Sequence, residues 1–224
     1  ASSPPPASGP PAPAENQEPD RKNQPAAPSP PAALRFVGQV FSSYLVCESD
    51  KGLVVVDQHA AHERLLFEAL REQLRTRPLA RQTLLFPQML DLGPEEFELI
   101  HKHGAEMAQL GVELQEFGGG SFVLKAVPAL LSHVEPGELV RDLLEQYAAC
   151  EQGGRRSEGS RLDHLLATMA CKAAVKGGQP LQPEECEGLL QQIRDSNTFS
   201  HCPHGRPVMK FFSDHDMKKW FHRT

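Results

Sequence analysis

Three short segments of this chain are rich in residue types that bind divalent metal ions. They are Asp57–Glu63 (Asp-Gln-His-Ala-Ala-His-Glu), Ala170–Lys172 (Ala-Cys-Lys) and Cys202–Pro207 (Cys-Pro-His-Gly-Arg-Pro). Imidazole, thiolate and carboxylate groups together suit zinc and related ions. The segments lie far apart in the sequence, so only a folded domain can bring them together. If the fold does so, we expect a metal site that contains an acid, and that chemistry points to hydrolysis.

The first segment combines a helix start with a pair of donors. His59 and Glu63 are four positions apart in a predicted helix, so their side chains share one face. Zinc sites use this spacing, although a lone pair of this kind is more often a capped helix start with solvated side chains. Asp57 is either the N-cap or the residue that orients a metal-bound histidine. Glu68 is rotated by about 140° from Glu63, which favours a supporting role for Glu68 and an ion pair with Arg64.

The other two segments differ in how firmly they indicate ligands. Cys202 and His204 flank Pro203, whose fixed φ makes a stiff loop that presents both donors. The alternative is a Gly/Pro turn with a buried cysteine. Cys171 stands on a helix predicted over about 161–176, where a lone cysteine is usually a small core residue.

The first 33 residues are predicted to form a disordered, proline-rich interdomain linker. Eleven of the 20 prolines occur by Pro31, and no aromatic residue occurs before Phe36. This composition cannot bury enough apolar surface to offset the chain entropy. The chain begins at Ala1, without Met, inside the linker. We therefore expect a fragment whose N-terminal part is another domain.

The charge balance argues against a strong autonomous DNA-binding domain. The net charge is −6, and residues 34–224 carry 21 Lys and Arg against 26 Asp and Glu. Domains that bind duplex DNA are usually basic, so we expect weak DNA binding, or binding through a local patch. No apolar run reaches the ~20 residues of a membrane span. The five cysteines have no disulfide-like spacing, which favours a reduced cytoplasmic compartment.

The hydrophobic pattern predicts an α/β (α+β) fold in three blocks. The first block begins with a strand over 36–48, and the middle block ends in a polar loop over 151–160. The three metal-type segments lie in the first and third blocks only. Residues 34–80 and 161–224 are therefore predicted to form one metal-site domain, and residues 81–160 a smaller inserted domain.

The start of the middle block has the shape of a short docking peptide, Gln-Thr-Leu-Leu-Phe-Pro. In such a peptide the Leu and Phe side chains fill a partner's pocket, and the Gln is a polar anchor. The alternative is a core strand that ends at a proline. The predicted contacts are Gln82, Leu84, Leu85, Phe86 and Pro87.

Together these segments resemble the C-terminal endonuclease domain of the MutL family of DNA mismatch-repair proteins. Residues 57–68 fit that family's Asp-Gln-His-Ala-x-x-Glu-x-x-x-x-Glu motif, and Ala170–Lys172 fits its Ala-Cys-Arg/Lys element. Cys202–Pro207 fits its Cys-Pro-His-Gly-Arg-Pro element, and Phe221–Arg223 looks like its C-terminal Phe-x-Arg. The resemblance covers about residues 34–224, and the leader resembles the family's interdomain linker. The docking segment falls where bacterial members carry a sliding-clamp-binding peptide.

The resemblance implies a nicking endonuclease that acts on double-stranded DNA in mismatch repair, in the bacterial cytoplasm near the nucleoid. It implies a homodimer, with a DNA sliding clamp and other mismatch-repair proteins as partners. The lack of a long apolar run predicts no membrane association. The ATPase module of the family is another domain, so we expect no ATP site here. By this resemblance, residues 34–80 and 161–224 form the dimerisation domain, and residues 81–160 form a regulatory domain. Manganese is the implied activating ion and zinc a bound or regulatory ion. The implied ligands are His59, Glu63, Cys171, Cys202 and His204, with Asp57, His59 and Glu63 as catalytic residues.

The chemistry of these residues agrees with phosphodiester cleavage. Divalent ions neutralise phosphate charge and make hydroxide available near neutral pH, and Glu63 or Cys202 could bridge two of them. Lys172 and Arg206 are the nearest candidates for phosphate contacts. Two thiolates favour zinc, whereas manganese prefers oxygen and nitrogen, so the ion that performs the chemistry is left open. The alternative function is a zinc-stabilised dimerisation and partner-recruitment module without nuclease activity.

Overall fold

The computed structural model describes residues 34–152, 158–174, 180–196 and 201–223. The predicted linker, residues 1–33, lies outside the described residues. The described part has the predicted mixed α/β fold, with two antiparallel sheets and six α-helices. None of these helices combines the length and the apolar character that a bilayer span requires.

The elements follow one another in chain order. The strands are β1 Arg35–Val40, β2 Tyr44–Ser49, β3 Gly52–Asp57, β4 Arg81–Asp91, β5 Glu113–Gly118, β6 Ser121–Pro128 and β7 Met209–Ser213. The helices are α1 Gln58–Thr76, α2 Pro94–Gln109, α3 Pro136–Gln152, α4 Glu158–Ala173, α5 Pro183–Asp195 and α6 Asp214–Trp220.

The single strand predicted over 36–48 is wrong, because this segment forms the hairpin β1–β2. The chain turns at Phe41 and Ser42, which have φ values of 53° and 49°. Left-handed backbone of this kind favours Gly or Asn, and neither residue type is present in the turn. The sequence therefore lacks the usual hairpin signal.

The first sheet contains strands from both ends of the described chain. Its strand order is β1-β2-β3-β7, and β7 pairs antiparallel with β3. In this register Val56 lies opposite Met209. The backbone N–H of Asp57 extends the pairing by donating to the Val208 carbonyl at 2.9 Å. The loop over 201–208 therefore lies beside the start of α1.

The second sheet has the order β4-β6-β5, so β4 is an edge strand. The pairing of β4 with β6 is interrupted between Thr83 and Gln88. Leu85 and Phe86, inside this interruption, have exposed fractions of 87% and 82%. Leu84 instead packs against the protein's own core.

Two hydrophobic clusters stabilise the fold. One lies between the first sheet and helices α1 and α5, with Leu45, Val54, Val56 and Leu190 among its buried members. The larger one includes most of the buried residues of the middle block together with the apolar residues of α4. Helix α4 thus shares a core with the block that we predict to be inserted, and the domain division stays a prediction.

Candidate metal centre

The centre begins where β3 ends and α1 starts. Asp57 is the N-cap of α1, because its Oδ1 accepts a hydrogen bond from the Ala60 backbone N–H at 3.0 Å. An N-cap aspartate contributes about 1 kcal/mol. Through its backbone bond to Val208, the same residue also ties the helix start to the loop before β7. Asp57 therefore holds two of the three metal-type segments in one place.

Glu63 is the buried carboxylate at the middle of the centre. Only 3% of its side chain is exposed, and its Oε1 lies 3.2 Å from His59 Nε2. Its Oε2 lies 3.6 Å from His204 Nδ1, on the loop before β7. A buried carboxylate is costly unless it has partners. Here each oxygen faces a different histidine.

Two groups of possible ligands share this carboxylate. Within each group the ligand atoms lie within 4.8 Å of one another. The fold thus brings together all five residues implied as ligands. One group is His59, Glu63 and Cys171, and the other is Glu63, Cys202 and His204.

Cys171 reaches the centre because α4 packs against α1. The small buried residues Ala61 and Ala170 lie on these two helices, and small residues permit close approach. The Cys171 residue is exposed. Burial of its thiol, followed by the hydrogen bond and negative charge of Glu63, raises its pKa to about 11. A bound cation would reverse this effect by stabilising the thiolate.

The loop before β7 holds Cys202 and His204 in a tight turn. The Cys202 N–H donates to the Arg206 carbonyl at 2.8 Å, and the Gly205 N–H donates to the Cys202 carbonyl at 2.9 Å. Gly205 has φ 83°, a conformation that side chains disfavour. Cys202 is buried, whereas His204 is 44% exposed. One donor faces the interior and the other can reach an ion from the solvent side.

Glu68 belongs to neither ligand group. Its Oε1 lies 2.6 Å from Arg64 Nη2, so the ion pair predicted from the sequence is present. The helix turns Glu68 away from Glu63, as the rotation argument requires.

Lys172 and Arg206, the two candidates for phosphate contacts, differ in whether their charged groups are already paired. The Lys172 ammonium forms an ion pair with Asp142 on α3, and the hydrogen bond to Asp142 raises the pKa of Lys172. Arg206 is exposed, and its charge opposes the rise in the pKa of Cys171. Arg206 is therefore close to the centre and open to solvent, while Lys172 already binds a carboxylate.

Sequence reasoning assigned no role to two residues that contact this region. Asp142 has no sequence signal that pairs it with Lys172. Gln58 is part of the Asp-Gln-His-Ala segment, and it is completely buried. A glutamine between a buried strand and an apolar helix face could have indicated a buried hydrogen-bonding role. His62 is half-buried, and burial together with the nearby His59 lowers its pKa.

The donor set fits zinc. Two thiols, two imidazoles and one carboxylate match the ligands of zinc sites, and thiolates select zinc over harder ions. No further metal-type group of three residues occurs within the described ranges. The residues present could hold one ion on each side of Glu63.

Comparison with known proteins decides the family. The sequence model described as "MutL C terminal dimerisation domain" matches residues 37–181. The chain belongs to the MutL family. This match includes His59, Glu63 and Cys171 and ends before Cys202.

Two MutL relatives are 36% and 38% identical to the chain over the aligned residues. A "DNA mismatch repair protein MutL" from Rhizobium etli (strain CIAT 652) is 36% identical over 210 residues, which cover 90% of this chain and 34% of that protein. The protein of the same name from Geobacter sp. (strain M21) is 38% identical over 192 residues, or 86% of this chain and 29% of that protein. The chain therefore spans about a third of the length of these MutL proteins.

Proposed function

We propose that this chain is a metal-dependent endonuclease domain that nicks double-stranded DNA in mismatch repair. The observation that carries the proposal is the position of Glu63. Its two oxygens face different histidines, and it belongs to two groups that each combine an imidazole and a thiol with this carboxylate. A carboxylate between two sets of donors is the arrangement that a two-ion site for in-line displacement needs.

Each residue of the centre has a separate role in this proposal. Bound divalent ions would supply neutralisation of the phosphate and hydroxide near neutral pH. Glu63 joins the two donor groups, and the N-cap bond of Asp57 fixes the first turn of the helix that carries it. The thiols of Cys171 and Cys202 would hold zinc, and manganese would be the activating ion. Arg206 is exposed and its charge acts on Cys171, so we assign it to the phosphate backbone.

Homodimerisation belongs to the same proposal, and one sheet face supports it. Strand alternation puts Val46 and Val55 on the face opposite the buried residues, and the register makes them neighbours. Tyr44 and Val37 on the same sheet are 41% and 56% exposed. An apolar face of this kind in a family named for dimerisation fits a second copy of the chain. Val46→Glu should convert a dimer to a monomer in sedimentation velocity.

Recruitment by a DNA sliding clamp is the third part of the proposal. Leu85 and Phe86 are exposed where β4 leaves its pairing with β6. Large apolar side chains exposed at an interrupted edge strand suit docking into a partner's pocket. The chain is acidic, with a net charge of −6, so its charge does not attract it to DNA. Binding to a clamp around the duplex would raise its local concentration at the DNA.

The second candidate function is a zinc-stabilised dimerisation and partner-recruitment module without nuclease activity. One observation favours it: the Lys172 ammonium is engaged by Asp142 rather than offered to DNA. The two thiol donors also suit a structural zinc site.

A plasmid-nicking assay separates the two functions. The dimeric protein is incubated with supercoiled plasmid and Mn²⁺, with and without clamp, while zinc content is measured on the same preparation. We expect relaxed circles that depend on Mn²⁺ and increase with clamp. A protein that retains zinc and dimerises but produces no relaxed circles in any condition would support the module instead.

A further inference from the structure

Gln58 is a completely buried polar side chain beside the metal centre. Its Nε2 donates to the Ser42 carbonyl at 3.0 Å, and its Oε1 accepts from Gln39 Nε2 at 2.5 Å. Its backbone N–H donates to the Ser43 carbonyl at 3.0 Å. Buried polar groups need such partners. One residue therefore holds two successive carbonyl groups of the β1–β2 turn.

The turn that Gln58 holds is disfavoured by its own residues. Phe41 and Ser42 both have positive φ, which costs free energy for residues other than Gly. The Ser43 N–H closes the turn by donating to the Val40 carbonyl at 3.2 Å. Strained conformations of this kind persist when surrounding contacts hold them. The hydrogen bonds from Gln58 are those contacts.

The same hydrogen bonds extend to the segment before α5. The Oε1 of Gln39 accepts from the Leu181 backbone N–H at 3.3 Å, while its Nε2 donates to Gln58. Leu181 packs at the edge of the cluster under the first sheet. Strand β1, the β1–β2 turn, the segment at Leu181 and the first residue of α1 are thus joined through two glutamine side chains.

We propose that Gln58 is a positioning residue of the metal centre. It locks the β1–β2 turn to the first residue of α1, and this fixes the direction in which α1 carries His59 and Glu63. Both donors lie within the next two turns of the helix, so a shift of its start would move them relative to Cys171 and His204. The inference rests on the metal-binding part of the proposed function and does not require nuclease activity.

Cobalt binding to the purified protein tests this inference without an activity assay. Gln58→Met keeps the approximate volume of the side chain and removes its hydrogen bonds. We expect Co²⁺ binding at least about tenfold weaker, as for other residues that orient ligands, with altered thiolate–cobalt absorption. Gln73→Met on the same helix is the matched control and should bind Co²⁺ like the wild type. Gln58→Met with wild-type affinity and spectrum would overturn the inference.

A rescue variant tests whether Gln58 acts through the turn. Phe41→Asn with Ser42→Gly supplies residues that adopt positive φ readily in a two-residue hairpin turn. Added to Gln58→Met, these changes should restore most of the Co²⁺ affinity, because the turn then needs less support. Failure to restore affinity in a protein with a wild-type melting temperature would overturn the mechanism.

A Gln58→Met variant that does not fold, and a wild type that binds no Co²⁺, lead to separate conclusions. If Gln58→Met does not fold, Gln39→Met is measured instead, since it removes only one partner of Gln58. A smaller loss of Co²⁺ affinity with a normal melt would support the inference, and unchanged affinity would overturn it. If the wild type itself binds no Co²⁺, the proposed metal centre fails. Equal Co²⁺ binding by the wild type and the variant would instead contradict only the positioning role of Gln58.

Discussion

Glu63 and Glu68 are carboxylates on the same helix, but α1 turns them toward different partners. Glu63 is buried, with its Oε2 3.6 Å from His204 Nδ1. Glu68 is 37% exposed and lies 2.6 Å from Arg64. Five residues of an α-helix rotate a side chain by about 140°, so the two carboxylates cannot serve one ion from a straight helix.

The first prediction compares these two carboxylates. Glu63→Gln should abolish Mn²⁺-dependent nicking and reduce bound zinc, because it removes the charged donor shared by both ligand groups. Glu68→Gln should retain most of the nicking activity and lose only the helix ion pair, about 0.3–0.5 kcal/mol. Plasmid relaxation, zinc content and thermal melts measure the three effects. Equal loss of nicking in both variants would show that Glu68 acts at the metal centre.

The second prediction concerns the pH dependence of metal binding. The pKa of the Cys171 thiol is raised to about 11, so without metal the thiol keeps its proton at neutral and mildly alkaline pH. An ion that binds the thiolate must displace this proton, and binding therefore strengthens as pH rises. Between about pH 7.5 and 9.5, the apparent zinc affinity should increase by up to tenfold per pH unit for each thiol proton released.

Cys171→Ala is the variant that checks this proton release. It should lower the slope of log affinity against pH by about one proton. Competition with a chelator at several pH values gives the slope. An unchanged slope would show that the Cys171 sulfur does not bind the ion.

The third prediction distinguishes the two candidates for phosphate contacts. Arg206→Gln should weaken DNA binding and reduce the slope of log affinity against log salt by about 1, because Arg206 is exposed near the centre. Lys172→Gln should leave this slope unchanged, since the ammonium is bound by Asp142. It should instead lower stability by about 1 kcal/mol, because Asp142 loses its partner. Fluorescence anisotropy over a KCl series measures the slopes, and the opposite pattern would reverse the assignment.

The fourth prediction concerns the docking segment on β4. Leu85→Ala with Phe86→Ala should remove clamp binding and clamp-stimulated nicking without changing the melting temperature, because both side chains are exposed. Leu84→Ala is the contrasting variant, since Leu84 packs against the core. It should lower stability by on the order of 2 kcal/mol. A large decrease in the melting temperature of the double variant would show that Leu85 and Phe86 are core residues.

Capping residues and apolar periodicity explain which elements could be predicted from the sequence. Helix α1 was predicted from Gln58 to about Arg75 and runs from Gln58 to Thr76, because an N-cap aspartate and a helical apolar pattern define it. The β1–β2 turn was missed because Phe41 and Ser42 carry no Gly or Asn. Gln58, which is distant in sequence, donates hydrogen bonds to the carbonyl groups of Ser42 and Ser43 in this turn.

The sequence by itself determined the donor types, the shared helix face of His59 and Glu63, and the divergence of Glu68. These properties follow from residue chemistry and the 3.6-residue period of the helix. Only the tertiary structure decided which donors meet around Glu63. Antiparallel pairing of β7 with β3 delivers His204, and packing of α4 on α1 delivers Cys171. Such contacts depend on long-range packing, which local periodicity does not encode. The packing of α4 against α3 likewise pairs Lys172 with Asp142.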